Sequence, residues 1–171
     1  MAASLAPLTQ LGRLQIDTIA NDFRLEATEA ILCSSYARAL ESAALLSRKL
    51  NKPLYVEYDL HEWLAHKDPL AEIDKELLER ARAGLEQELT GHISDTTVPW
   101  ETLSEVRARV IGVLKRYAHY SSLLVVSHAV VMTSLLGEQR AVEHAEIIAL
   151  ELDLSDPAIM HLPQRRLLCS G

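Results

Sequence analysis

LLVVSHAVVMTSLLG, residues Leu123 to Gly137, decides the fold class of this chain. Leu123 to Val126 is an unbroken apolar run, which is how a strand covered on both faces reads. Ser127 and His128 interrupt it, and a helical pattern then continues to about Leu136. The same order occurs earlier: Ala30-Ile31-Leu32-Cys33 ends in two serines, and Tyr36 to Leu50 follows as a helix rich in Ala, Leu, Arg and Lys, without Gly or Pro. Pro53 opens another strand, Leu54 to Tyr58, which leads into Leu60-His61-Glu62-Trp63.

The flanking segments supply helices. Leu11, Leu14, Ile16 and Ile19 recur at roughly helical spacing between Thr9 and Asn21, with Thr9 as the cap. Ala71 to Leu89 reads as a charged amphipathic helix, and Gly91 to Pro99 as a loop. Thr102 and Glu105 have the spacing of a capping box, with Leu103, Val106, Val110, Val113 and Leu114 forming the apolar face behind it. Ile147 to Leu152 reads as a last strand. Strands alternating with helices predict an α/β domain, with a mostly parallel sheet and helices on both faces. Ligands of such sheets bind beyond the carboxyl ends of the strands.

Bulk composition limits the rest. A length of 171 residues suits one domain, spanning 1–171. With 49% hydrophobic and 24% charged residues, the chain has the composition of an ordinary globular protein. A formal charge of -7 with no basic run argues against nucleic acid as a partner. Cys33 and Cys169 form no spaced framework, so a reducing compartment is expected. MAASLAPLTQ has no basic region followed by an apolar core, and no run of about 18 apolar residues occurs, so the expected location is cytoplasmic, without membrane contact.

Three polar clusters fall at strand ends: Ser34 with Arg38, then Glu62, then Ser127 with His128. Together they suggest a phosphate pocket. The guanidinium of Arg38 offers a planar fork of donors, and the helix behind Ser34 adds unpaired N–H groups. His128 could donate to a phosphate oxygen, and Glu62 could pass a proton to the leaving oxygen. Each residue alone has a plainer reading: Arg38 and Glu62 as solvated helix or loop charges, His128 as a satisfied core histidine. The other histidines show no metal-ligand spacing, so neither a metal nor another cofactor is expected. Trp63 and Trp100 read as core or pocket-lining residues.

The order of these motifs resembles the histidine phosphatase superfamily, also called phosphoglycerate mutase-like, over nearly the whole chain. PLTQLGRLQ at Pro7 to Gln15 is similar to the family's PLTxxGxxQA, in which the glycine lets the first helix pack closely. SSYARALESA at Ser34 to Ala43 is similar to SPLxRAxxTA, aligning Arg38 with a phosphate-binding arginine and Ser42 with a threonine. Leu60-His61-Glu62 matches the LxE pattern whose glutamate is the proton donor, and VVSHAVVMTSLLG matches VVSHGxxIRxLL, aligning His128 with a pocket histidine. Glu143 to Glu146 falls where the family has a small-residue turn. The resemblance implies a three-layer sandwich that binds a small phosphorylated molecule through Arg38, His128 and Ser34, with Glu62 and His128 in catalytic roles.

Two departures qualify it. The family's pocket includes an Arg-His-Gly motif after its first strand, and that histidine attacks phosphorus. Only Met1 to Ala6 precedes Pro7 here, and no Arg-His pair occurs in the sequence. The expectation is therefore a sheet missing its first central strand, and a phosphatase impaired on the order of a millionfold. The gap would be closed internally or by self-association into a homo-oligomer, or else the chain is shortened. The alternative is a non-catalytic binding or assembly module with a vestigial pocket. The second departure is Ala129 in place of glycine, which either crowds the pocket floor or is harmless if no positive φ is required.

Overall fold

The computed structural model describes residues 2–68, 70–92, 95, 97–136 and 142–160. Three parallel strands, β1 (Ala30–Ser34), β2 (Leu54–Glu57) and β3 (Leu123–Val126), form one sheet in the order β2-β1-β3. In register, Cys33 stands level with Val56 on one side and Val126 on the other. The central β1 is buried at every residue. Fully burying its Ile31 and Leu32 contributes roughly 1.5–3 kcal/mol each.

Among the described residues six helices accompany the sheet: α1 (Ala2–Leu5), α2 (Gln10–Ile19), α3 (Ala37–Leu50), α4 (Lys75–Leu89), α5 (Leu103–Arg116) and α6 (Ala129–Leu136). Successive side chains of β1 serve opposite layers, as strand geometry requires. Leu32 packs with Val106, Val110 and Val113 of α5 and Val131 of α6, whereas Ile31 and Cys33 pack with Ile16 of α2 and Ala43 and Leu46 of α3. The result is the expected α/β fold with helices on both faces. No described helix is long and apolar enough to cross a membrane.

The helix signals work as local chemistry. The Thr9 side chain accepts the Gly12 N–H at 3.0 Å and starts α2. Thr102 and Glu105 form the reciprocal capping box of α5. Helix α4 begins at Lys75 rather than Ala71 because the Asp74 carboxylate accepts the Leu77 N–H at 2.7 Å and sets the cap there. A methyl group built on Gly12 would meet Leu8 Cδ2 at 3.1 Å, a contact within its own segment. Glu143 to Glu146 does form a turn, with Ala145 in the left-handed region at φ 59°. Cys169 lies outside the described residues.

Two readings of strands need correction. Ile147 to Leu152 forms no strand. Its apolar residues still pack, Ile147 against the layer holding Val126 and Leu152 against the layer holding Leu32, but no ladder supports them. The Ile147 carbonyl instead accepts from the Arg24 guanidinium at 3.1 Å. The second correction concerns Leu123 to Val126, which is only half-buried because β3 is an edge strand. Among the described residues no backbone hydrogen bond joins its outer side.

One glycine carries a packing constraint. The Trp100 ring lies flat on Gly84 of α4, where an added Cβ would sit 2.6 Å from Trp100 Cζ2. Trp100 is followed by Glu101, whose carboxylate braces α5, so displacement of the ring would reach that brace as well. Gly84→Ala should destabilise the chain by roughly 1–3 kcal/mol despite the better helix propensity of alanine. A lower urea midpoint at unchanged slope is the expected reading.

Candidate functional site

Parallel pairing places the carboxyl ends of β1 and β3 side by side, so Ser34 and the Ser127-His128 pair that follows Val126 emerge together. From β2 the chain turns through a short 3-10 helix, Tyr58–Leu60, before His61 and Glu62. The Ser127 hydroxyl donates to the Leu60 carbonyl at 2.9 Å, fastening the Glu62 turn to the β3–α6 loop. Ser34, Arg38, Glu62 and His128, the four residues singled out from sequence, are thereby gathered at one end of the sheet.

Their hydrogen bonds fix the state of the imidazole. Arg38 Nη2 lies 3.0 Å from His128 Nδ1, and His128 Nε2 lies 2.8 Å from Ser34 Oγ. A guanidinium can only donate, so Nδ1 accepts, and the proton resides on Nε2 and is donated to Ser34. The Tyr36 N–H also reaches Ser34 Oγ, at 3.2 Å. Burial, reinforced by the charges of Arg38 and Arg109, pushes the His128 pKa down to about 3. The ring is therefore neutral at pH 7.

Glu62 is pushed the other way: burial raises its pKa, opposed by the Trp63 and Val130 N–H groups and by Arg38 and Arg109. Its Oε1 accepts the Trp63 N–H at 2.9 Å, and Val130 belongs to the first turn of α6. A carboxyl that holds its proton unusually well beside an arginine is suited to donating it. Ala129, the residue that departs from glycine, opens α6 on its exposed side. Positive φ among described non-glycine residues is confined to Asn51 and Ala145, so the methyl group of Ala129 needs no special backbone.

Sequence reasoning missed several neighbours. His61 is 4% exposed, and its Nδ1 lies 2.7 Å from the Glu62 carbonyl, so Nδ1 carries the proton. Arg109 donates to both Glu101 oxygens, at 2.5 and 3.0 Å, and to the Asp59 carbonyl. Glu101 in turn accepts the Leu64 N–H at 3.2 Å, so this ion pair braces the turn bearing Glu62 from both ends. Only the long-range fold brings Arg109 there, and no local pattern announces it. Tyr36, expected from sequence to be the first residue of the helix, instead occupies the cap position of α3 without a side-chain cap bond. An open depression of about 200 Å³ beside the brace is lined by Leu64, Lys67, Glu101 and Glu105. It does not overlie Arg38 and His128, whose side chains bond each other.

The buried neutral imidazole has a consequence for acid stability. On acidification the unfolded chain takes up the His128 proton first, near pH 6.5, and the folded chain only near pH 3. The contribution is present above about pH 6.5 and is lost as pH falls, at roughly 1.4 kcal/mol per unit. Glu62, with its raised pKa, acts in the opposite sense, so the comparison must be between wild type and His128→Gln. Their stability difference, measured by urea denaturation, should shift by about 2 kcal/mol between pH 7 and pH 5.

No curated protein sequence matches this chain. Solved structures do resemble it in fold. The native mycobacterial glucosyl-3-phosphoglycerate phosphatase aligns at a TM-score of 0.59 and 17% identity, over 77% of this chain and 66% of its own. YhfR of Bacillus stearothermophilus aligns at 0.57 and 22% identity, over 78% and 67%. The α-ribazole phosphatase of Shigella flexneri aligns at 0.55 and 23%, over 78% and 67%. This chain thus spans about two thirds of the length of each. The model of the histidine phosphatase superfamily, branch 1, matches residues 4–162. With that match covering most of its length and the same fold in these neighbours, the chain belongs to the histidine phosphatase superfamily.

Proposed function

We propose that this chain binds the phosphate of a small phosphomonoester through Arg38, His128 and Ser34, and that turnover by the chain alone is impaired. The observation that carries the reading is the bonded series Arg38–His128–Ser34 at the carboxyl ends of parallel strands. An entering phosphate would take the guanidinium donors that now face His128 Nδ1 and accept from the imidazole and from Ser34. Glu62 is the proton donor to the leaving oxygen. His128 is not free to attack phosphorus. The Nδ1 lone pair of His128 is covered by Arg38, its Nε2 carries a proton, and no Arg-His pair occurs in the sequence.

Calorimetry with inorganic phosphate tests the reading. Binding should weaken at least tenfold in Arg38→Met and in His128→Gln, since each loses a charge-assisted or buried hydrogen bond worth roughly 1.5–3 kcal/mol. Phosphate that binds equally well to both variants would refute it. On 4-nitrophenyl phosphate, turnover should be absent or very slow. Rapid hydrolysis unaffected by Glu62→Gln would overturn both the impairment and the role given to the carboxyl.

The pH dependence follows from the freed lone pair. Once an anion draws Arg38 from Nδ1 and sits beside the ring, the imidazole can take up a proton that the empty site refuses until about pH 3. Sulfate keeps one charge state across the range, so its affinity isolates this effect. It should rise as pH falls from 8 toward 5.5 more steeply in wild type than in His128→Gln, where Glu62 still titrates but the imidazole is gone.

A second reading, an assembly module, is favoured by the outer edge of β3. Four consecutive apolar residues are only half-buried there, and an edge that has no ladder partner among the described residues is a template for strand addition. Light scattering over a concentration series distinguishes it: growth in mass that Val125→Lys abolishes supports assembly through that edge.

A further inference from the structure

The hollow does not end at Arg38 and His128. A row of rings continues from the imidazole toward solvent. The Tyr36 ring lies 5.1 Å from that of His128 at 60°, with the Arg38 guanidinium carbon 5.4 Å from the Tyr36 centroid. Tyr36 and His61 are close to parallel, 20° apart with centroids separated by 6.4 Å. Tyr58 then meets His61 at 4.9 Å and 60°. His61 is buried, whereas Tyr58 is 62% exposed, so the row begins beside the phosphate-binding side chains and surfaces at Tyr58.

The placement of Tyr36 has no account in helix chemistry. Cap positions favour Ser, Thr, Asp and Asn, and the tyrosine there makes no side-chain cap bond. Its contacts are with the rings and the guanidinium. The charges around the row point the same way. Arg38 is committed to the phosphate itself, Arg109 is held by both oxygens of Glu101, and Asp59 adds a negative charge beside His61. Burial holds the His61 imidazole below its ordinary pKa and so keeps it neutral. A ligand whose alcohol carries a second anionic group meets no surplus positive charge here. A flat, uncharged ring meets aromatic faces and edges, which prefer such partners.

We infer that Tyr36, His61 and Tyr58 select the ester group, and that the preferred ligand is the phosphomonoester of a neutral aromatic alcohol, aryl or heteroaryl. The inference rests on the phosphate-binding reading above and names the class of ligand for that same site. Tyr58 supplies the solvent-side face, and Tyr36 ties the ring subsite to the guanidinium that takes the phosphate.

Calorimetry on the intact chain with four probes tests it: inorganic phosphate, 1-naphthyl phosphate, glycerol 2-phosphate and phosphoglycolate. Naphthyl phosphate should bind roughly three- to tenfold more tightly than glycerol 2-phosphate, with phosphoglycolate weakest. In Tyr58→Ala, an exposed position whose change leaves the core intact, the naphthyl-to-glycerol ratio should fall toward one. Equal affinities for the naphthyl and glycerol esters in wild type, tightest binding of phosphoglycolate, or a ratio untouched by Tyr58→Ala would each overturn the aromatic preference while inorganic phosphate still bound. Failure of inorganic phosphate itself to bind would overturn the underlying pocket, and the inference with it.

Discussion

When β1 and β3 pair in parallel with Cys33 level with Val126, the next residues on each strand leave the sheet at the same height. Ser34 and His128 are therefore adjacent although they are far apart in sequence, and the bond between them follows from the register. A shift of one residue would turn the side chains of β3 to the opposite layer and carry His128 away from Ser34. Ser127 extends the same constraint to the third strand end by holding the Leu60 carbonyl, which brings Glu62 to the first turn of α6. Three strand ends and one register thus account for the candidate site.

Local chemistry was legible in the sequence wherever a segment carries its own signal. The apolar runs at Ala30–Cys33 and Leu123–Val126 became strands, and Thr9 and the Thr102–Glu105 pair became caps. The four polar residues at strand ends were found because the parallel-sheet rule says where to look. Ile147 to Leu152 misled because an apolar run reports burial, and burial can come from packing without a ladder. The Arg109–Glu101 brace was out of reach: its value lies in the Asp59 carbonyl and Leu64 amide it holds, which only the folded chain brings near.

The side chains gathered at the strand ends are chemically satisfied. Arg38, His128 and Ser34 bond one another, so neither nitrogen of the buried His128 imidazole is left without a partner. On the proposed phosphate-binding reading, an entering anion has to outcompete this series of hydrogen bonds, and a neutral visitor cannot repay the guanidinium for leaving the imidazole. The opposed shifts of Glu62 and His128 belong to the same arrangement: low solvation keeps both groups uncharged more readily than in water.

The Arg24 guanidinium bonded to the Ile147 carbonyl fastens a segment that joins no ladder. Among the described residues β3 has a ladder on one side alone, whereas β1 is locked by ladders on both of its sides. Amide hydrogens of β1 are shielded unless the whole sheet opens, but those on the outward side of β3 exchange through small local fluctuations. The strand that delivers His128 is thus one of the two edges of the sheet, and breathing of that margin would alter the imidazole's surroundings while the central strand stays intact.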